Sequence, residues 1–173
     1  MLPPINLVKP LMSCGLKKFV DKLQSVFDEG NYDPTNEPNI AYPYLFSRFK
    51  GEEWRTQKLI KELLAKHFTN QPAGIPGNDD TGTMSTWAIF SMMGLYPDCP
   101  GVPEYTLTTP TFDEIVVKLD PKYWSKDKLV IKKEGKGDYI KEIKLDGKKY
   151  GKYLITHEDL INAGEITFVT MDR

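Results

Sequence analysis

The stretch GIPGNDDTGTMSTWAIFSMMGLYP, Gly74 to Pro97, sets two adjacent carboxylates among glycines and then runs straight into an apolar segment. A carboxylate at the head of a helix has two uses. It can cap the helix by accepting its free N–H groups. Or the positive helix end can hold it ionised for chemistry, where it is a poor proton donor and a good acceptor. Asp80, a few residues before a helix that should begin at Thr83, suits that second use. Gly74, Gly77 and Gly82 let the backbone turn sharply and keep bulk away from a ligand. Residue types alone leave both uses open, and capping is the commoner one.

Other site chemistries fit less well. A calcium EF-hand loop needs acids at alternating early positions, a central glycine and a closing glutamate. Placing Gly82 as that glycine puts Gly77, Thr81 and Ala88 where ligands should be, so the pattern fails. The glycines lack the Lys-Ser/Thr of a phosphate loop. His67 and His157 stand far apart with no zinc spacing, and HED at His157 reads as the start of a short capped helix. Cys14 and Cys99 have no flanking nucleophile signature and read as inert thiols.

The elements that must position the acidic pair can be read from periodicity. Phe19, Val20, Leu23, Val26 and Phe27 recur at helical spacing before Gly30. A proline-punctuated loop, NYDPTNEPNIAYPYLFSRF, leads into a short helical stretch around Tyr44 to Phe49. EEWRTQKLIKELLAKHF places acids in its first turn and Lys66 and His67 in its last, complementing the helix dipole. A further helix spans Thr83 to Met93 and stops at Gly94. The segment Tyr96 to Pro110 holds four prolines and cannot continue a helix. After it EIVVKL, KLVIKK, YIKEIKL and EITFVT read as strands, with a hairpin turn at Asp146-Gly147. THEDLINAG offers Thr156 as N-cap, Asp159 three positions on and Gly164 as terminator.

Totals bound the function. A chain of 173 residues, 40% hydrophobic and 27% charged, has the size and composition of a globular domain. A net charge of −1 gives no field that would favour nucleic acid or an anionic membrane as partner. No apolar run approaches the length of a membrane span. The first twenty residues carry prolines and lysines where a signal peptide wants an apolar stretch, so no targeting segment is read there.

The motifs resemble glycoside hydrolase family 92, the calcium-dependent, inverting exo-α-mannosidases. Ile75 to Trp87 matches that family's Pro-Gly-Asn-Asp/Glu-Asp-x-Gly-x-Met-Ser-x-Trp block. Gly94 to Pro97 and Pro100 to Tyr105 match its next two motifs. YDPTNEPNIAYPYLF resembles its Asn/His-Glu-Pro loop, and EEWRTQKLIKELL its Trp-x-Thr-Gln helix. The resemblance implies Asp80 as the general base on the attacking water, with Asn78 as its partner position, where some members carry a second Asp. It implies Asn36 and Glu37 at the leaving-group sugar subsite, Asn39 as a calcium donor and calcium as cofactor. Some members that prefer α-1,2 linkages have His where this chain has Asn36.

The family's proton donor is a Glu in a Glu-Gly-Asn-Ala-Trp-Gln-Tyr segment, a string this chain lacks. The expectation is therefore an α+β chain forming the C-terminal portion of such an enzyme. Residues 1–95 would be a helical segment contributing to a catalytic α/α barrel. Residues 96–173 would be a linker and a small, mostly antiparallel β-sheet with one short helix. The implied partners are mannose-containing glycans and the upstream portion of the same enzyme, and the implied setting is secreted or periplasmic. Alone, the chain is expected to hydrolyse little or nothing. The alternative reading is a non-catalytic sugar-binding or structural interaction module.

Overall fold

A computed structural model describes residues 15–173; the expectation for Cys14 lies outside the described residues. The first helix, α1 (Leu16–Asp28), buries Val20 and Leu23 against Phe46 and Leu59, and Gly30 (φ 72°) turns the chain away after it. Two 3₁₀ turns follow, Glu37–Asn39 and Tyr42–Arg48, each with a proline at its first positions. That placement suits proline, whose missing N–H is unneeded there. Helix α2 (Glu53–His67) and helix α3 (Thr83–Met93) begin and end close to where periodicity put them. Gly94 closes α3 in the left-handed region at φ 78°, and a Cβ there would stand 2.6 Å from the Thr108 carbonyl. Trp87 of α3 fills the space between Tyr44, Ile60, Leu63 and Tyr96.

The expectation of one small sheet is corrected to two. Strands β1 (Leu95–Tyr96), β2 (Glu104–Leu107) and β7 (Leu154–Thr156) form a three-stranded antiparallel sheet with β2 in the middle. The prolines of 97–110 confine β1 and β2 to short runs, and this hid them in the sequence. The second sheet contains β3 (Glu114–Lys118), β4 (Lys128–Glu134), β5 (Tyr139–Leu145), β6 (Lys148–Tyr150) and β8 (Glu165–Met171). Its order is β3-β4-β8-β5-β6, antiparallel except for the β4–β8 pair. Asp146 (φ 47°) and Gly147 (φ 77°) both adopt positive φ, the pair a two-residue type I′ hairpin turn requires. Between β7 and β8 lies α4 (His157–Asn162), capped by Thr156 Oγ1, which accepts the Asp159 N–H at 3.0 Å. Gly164 is not a left-handed terminator; Ala163 ends the helix in extended conformation, and Gly164 instead admits the close approach of Lys126.

Leu107, Ile131, Ile155, Ile166 and Phe168, all fully buried, join both sheets and α4 in one core. Polar contacts tie the helices to it. Thr56 Oγ1 donates to the Pro43 carbonyl at 2.8 Å, and the buried Gln57 Oε1 accepts the Ile140 N–H at 2.8 Å. That amide lies beside the bulge between Ile140 and Glu142, where the ladder is irregular. Arg48 forks onto Asp98 through Nε and an Nη at 3.0 and 2.9 Å, the Asp98 side chain being wholly buried. Among the described residues no helix is long and apolar enough to cross a membrane.

Candidate functional site

The two acids of the glycine-flanked loop do different things. Gly82 stands at the N-cap of α3 and has no side chain to offer its free N–H groups. Asp79 supplies the missing acceptor: one carboxylate oxygen takes the Ser85 N–H at 2.9 Å and the other the Ser85 hydroxyl at 2.5 Å. Those two hydrogen bonds hold the Asp79 carboxyl below the usual aspartate range. The helix-tip contact expected for Asp80 therefore belongs to its neighbour, because Asp79 is placed to reach the third helical residue. Among the described residues no donor reaches the Asp80 carboxylate, which is exposed. Its carbonyl accepts the hydroxyls of Thr81 and Thr83, each at 2.7 Å.

Thr81 and Gly82 are successive left-handed residues, at φ 52° and 80°. For a β-branched threonine that conformation is strained by about 1–3 kcal/mol, a cost found mostly where geometry serves a site. The strain gives the backbone a sharp turn directly after Asp80. Asn78, also exposed, precedes the pair on the same loop.

The Asn-Glu-Pro loop lies against this one. Asp33 organises it: one carboxylate oxygen accepts both the Thr35 N–H at 2.9 Å and the Thr35 hydroxyl at 2.7 Å, and those bonds hold its carboxyl low. Thr35 then meets Gly77, where an added Cβ would fall 2.7 Å from Thr35 Cβ. Only glycine permits that approach, and it brings the Asn36-Glu37 loop and the Asn78–Asp80 loop side by side. Asn36 and Glu37 are exposed; Asn39 is half-buried and donates its amide to the Asp33 carbonyl at 3.3 Å. Trp87, on the helix headed by the acidic pair, donates Nε1–H to the Ile40 carbonyl at 3.0 Å and stacks on Phe68. Behind it Tyr44 stacks on Tyr96 with centroids 4.1 Å apart. Burial, helped by the Asp98 charge, pushes the Tyr96 phenol up to about 12, so it stays neutral in this wall.

Asp33, Thr35 and Asp79 escaped the sequence reading as positioning residues. The signal was present in Asp-Pro-Thr, an Asx-turn pattern, and in the acid that precedes Asp80. Calcium takes six to eight oxygen ligands, roughly, and favours carboxylates. Among the described residues no three His, Cys, Asp or Glu side chains gather as a metal would need. A groove of about 350 Å³ between α2 and the Thr109–Thr111 segment is lined by Ile60, Leu64, Met92 and Pro110 and includes none of the site residues.

Comparison with known proteins identifies the family of the chain. The model of the glycosyl hydrolase family 92 catalytic domain matches residues 8–172. A family GH92 alpha-mannosidase from Bacteroides thetaiotaomicron superposes with a TM-score of 0.85 at 28% identity, over 94% of this chain and 22% of that one. Its structure in complex with mannoimidazole gives the same TM-score at 26% identity, over 94% of this chain and 23% of that one. A family GH92 inverting mannosidase from the same organism has a TM-score of 0.69 at 29% identity, over 84% of this chain and 20% of that one. An uncharacterized secreted glycosidase of Arthroderma benhamiae is 29% identical over 154 residues, which is 88% of this chain and 20% of that protein. The chain thus spans about a fifth of the length of these relatives. Because that family model spans nearly the whole chain, the chain belongs to glycosyl hydrolase family 92.

Proposed function

We propose that this chain is the C-terminal part of an inverting α-mannosidase and supplies the general base, Asp80, but not the general acid. The observation that carries the reading is the division of labour at the head of α3. Asp79 satisfies the helix, and the Asp80 carboxylate is left free to accept a proton. In the reaction, Asp80 removes a proton from water as the water oxygen attacks the anomeric carbon of a terminal mannose. The glycosidic bond breaks on the opposite face, and the departing oxygen takes a proton from an acid outside this chain. Inversion requires those two carboxyls about 6.5–9.5 Å apart, leaving room for the water.

Asn78 helps orient that water, since an amide can hydrogen-bond it but cannot take its proton. Asn36 and Glu37, carried next to the acid loop by the Thr35–Gly77 contact, line the subsite of the departing sugar. Asn39 contributes one oxygen to a calcium ion whose other ligands lie elsewhere in a longer protein. Residues 1–95 form part of a catalytic α/α barrel completed by upstream chain, and residues 96–173 brace it. The exposure of Asp80 in this chain fits such a role, because the walls that would exclude water come from the rest of the polypeptide.

The test is hydrolysis of α-mannobiosides with calcium, by the chain alone and by a longer family protein carrying these residues. Little turnover by the chain alone and robust turnover by the longer protein, lost in Asp80→Asn, is expected. Mannose binding without turnover in the longer protein would favour a sugar-binding module and sink the catalytic reading.

A further inference from the structure

The first turn of α3 has N–H groups that need an acceptor, and Gly82 at the cap position offers none. Two carboxylates of equal length stand next to each other just ahead of that turn. One is engaged twice by Ser85; the other has no partner among the described residues. A second carboxylate thus stands beside the capping one without sharing its hydrogen bonds. Part of the restraint on it is the strained Thr81–Gly82 turn, held by the hydroxyls of Thr81 and Thr83 on the Asp80 carbonyl. A strained turn persists only while surrounding contacts over-determine it, and the Asp79–Ser85 fork is the contact that spans it.

We propose that Asp79 is the positioning residue of the pair: by occupying the head of α3 it keeps the Asp80 carboxylate free, and without it Asp80 turns inward and becomes the cap. The catalytic consequence rests on Asp80 being the base, but the exchange itself does not. It is a property of the loop and is read without any substrate. Asparagine at position 79 would keep the fork, its oxygen accepting the Ser85 N–H and its amide donating to the Ser85 hydroxyl. Alanine would leave the helix head open.

The experiment follows the Ser85 amide resonance of the 173-residue chain by NMR through the carboxylate range, about pH 3 to 6. The Ser85 amide reports whichever carboxylate it is bonded to. In the unchanged chain its shift follows Asp79. In Asp79→Ala it should still follow a carboxylate with a change of similar size, and that response should vanish only when Asp80→Asn is added. In Asp79→Asn it should be flat, because a neutral amide holds the cap and Asp80 stays out. A flat response in Asp79→Ala alone, or a titrating one in Asp79→Asn, overturns the proposal.

A longer family protein gives the second readout. There Asp79→Ala should lower kcat on the order of ten- to a hundredfold, within what a general base contributes, with KM little changed, and Asp79→Asn should recover most of it. A rise in KM with kcat retained would mark Asp79 as a plain helix cap. If the longer protein proves inactive, the catalytic reading of Asp80 falls while the NMR result still stands or fails by itself.

Discussion

Asp79 and Asp80 have the same side chain and one peptide bond between them, yet their surroundings separate them. Asp79 gains two hydrogen bonds that exist only in the folded chain. Its carboxyl is therefore held lower when folded than when unfolded, so it adds stability above the ordinary aspartate value near 3.9. That contribution is lost as pH falls through the folded value. Thermal midpoints of the unchanged chain and of Asp79→Asn should accordingly separate at neutral pH and converge in acid. Asp80 should behave in the opposite sense: Asp80→Asn leaves the midpoint nearly unchanged but lowers kcat of an active longer protein by roughly 10²–10⁴. The sequence placed both acids at a helix head, but adjacent identical residues gave no local clue to which would cap. That depended on the left-handed turn at Thr81-Gly82, which propensity disfavours for threonine.

Between elements, a few buried polar side chains set the docking. Replacing Arg48 by Met would leave the buried Asp98 carboxylate without its partner, a loss of about 3–5 kcal/mol measurable by urea unfolding. Gln57→Leu strands the buried Ile140 N–H and should cost about 1–3 kcal/mol in the same assay. Gly77→Ala forces a Cβ onto Thr35 from a positive-φ position; it should destabilise by about 1–3 kcal/mol and raise KM of an active longer protein by parting the two loops. The helices and the Asp-Gly hairpin were legible because their signals are local, in period and in turn chemistry. The three-stranded sheet was not, since β2 finds β7 across some fifty residues and its own segment is broken by prolines. Gln57 and Ile140 are 83 positions apart, a pairing no window of sequence contains.

At the scale of the whole molecule, α3 has apolar residues on nearly all sides, as helices enclosed on every face do. In this chain Ile89 nevertheless stands 58% exposed. Ile89→Lys should make the isolated chain more monodisperse in light scattering while leaving its midpoint within about 0.5 kcal/mol. With no cluster of three His, Cys, Asp or Glu side chains among the described residues, calcium should raise the midpoint of the isolated chain little or not at all, as a ligand stabilises only what it binds.

The order β3-β4-β8-β5-β6 has a consequence for synthesis. The centre of the larger sheet is filled by residues 165–171, made after all of its neighbours. A nascent chain leaving the ribosome can close the β5–β6 hairpin early, but β4 and β5 have no strand between them until that last segment emerges. Until then two apolar edges wait open, which makes this stretch the natural place for a chaperone to act and for premature termination to be fatal.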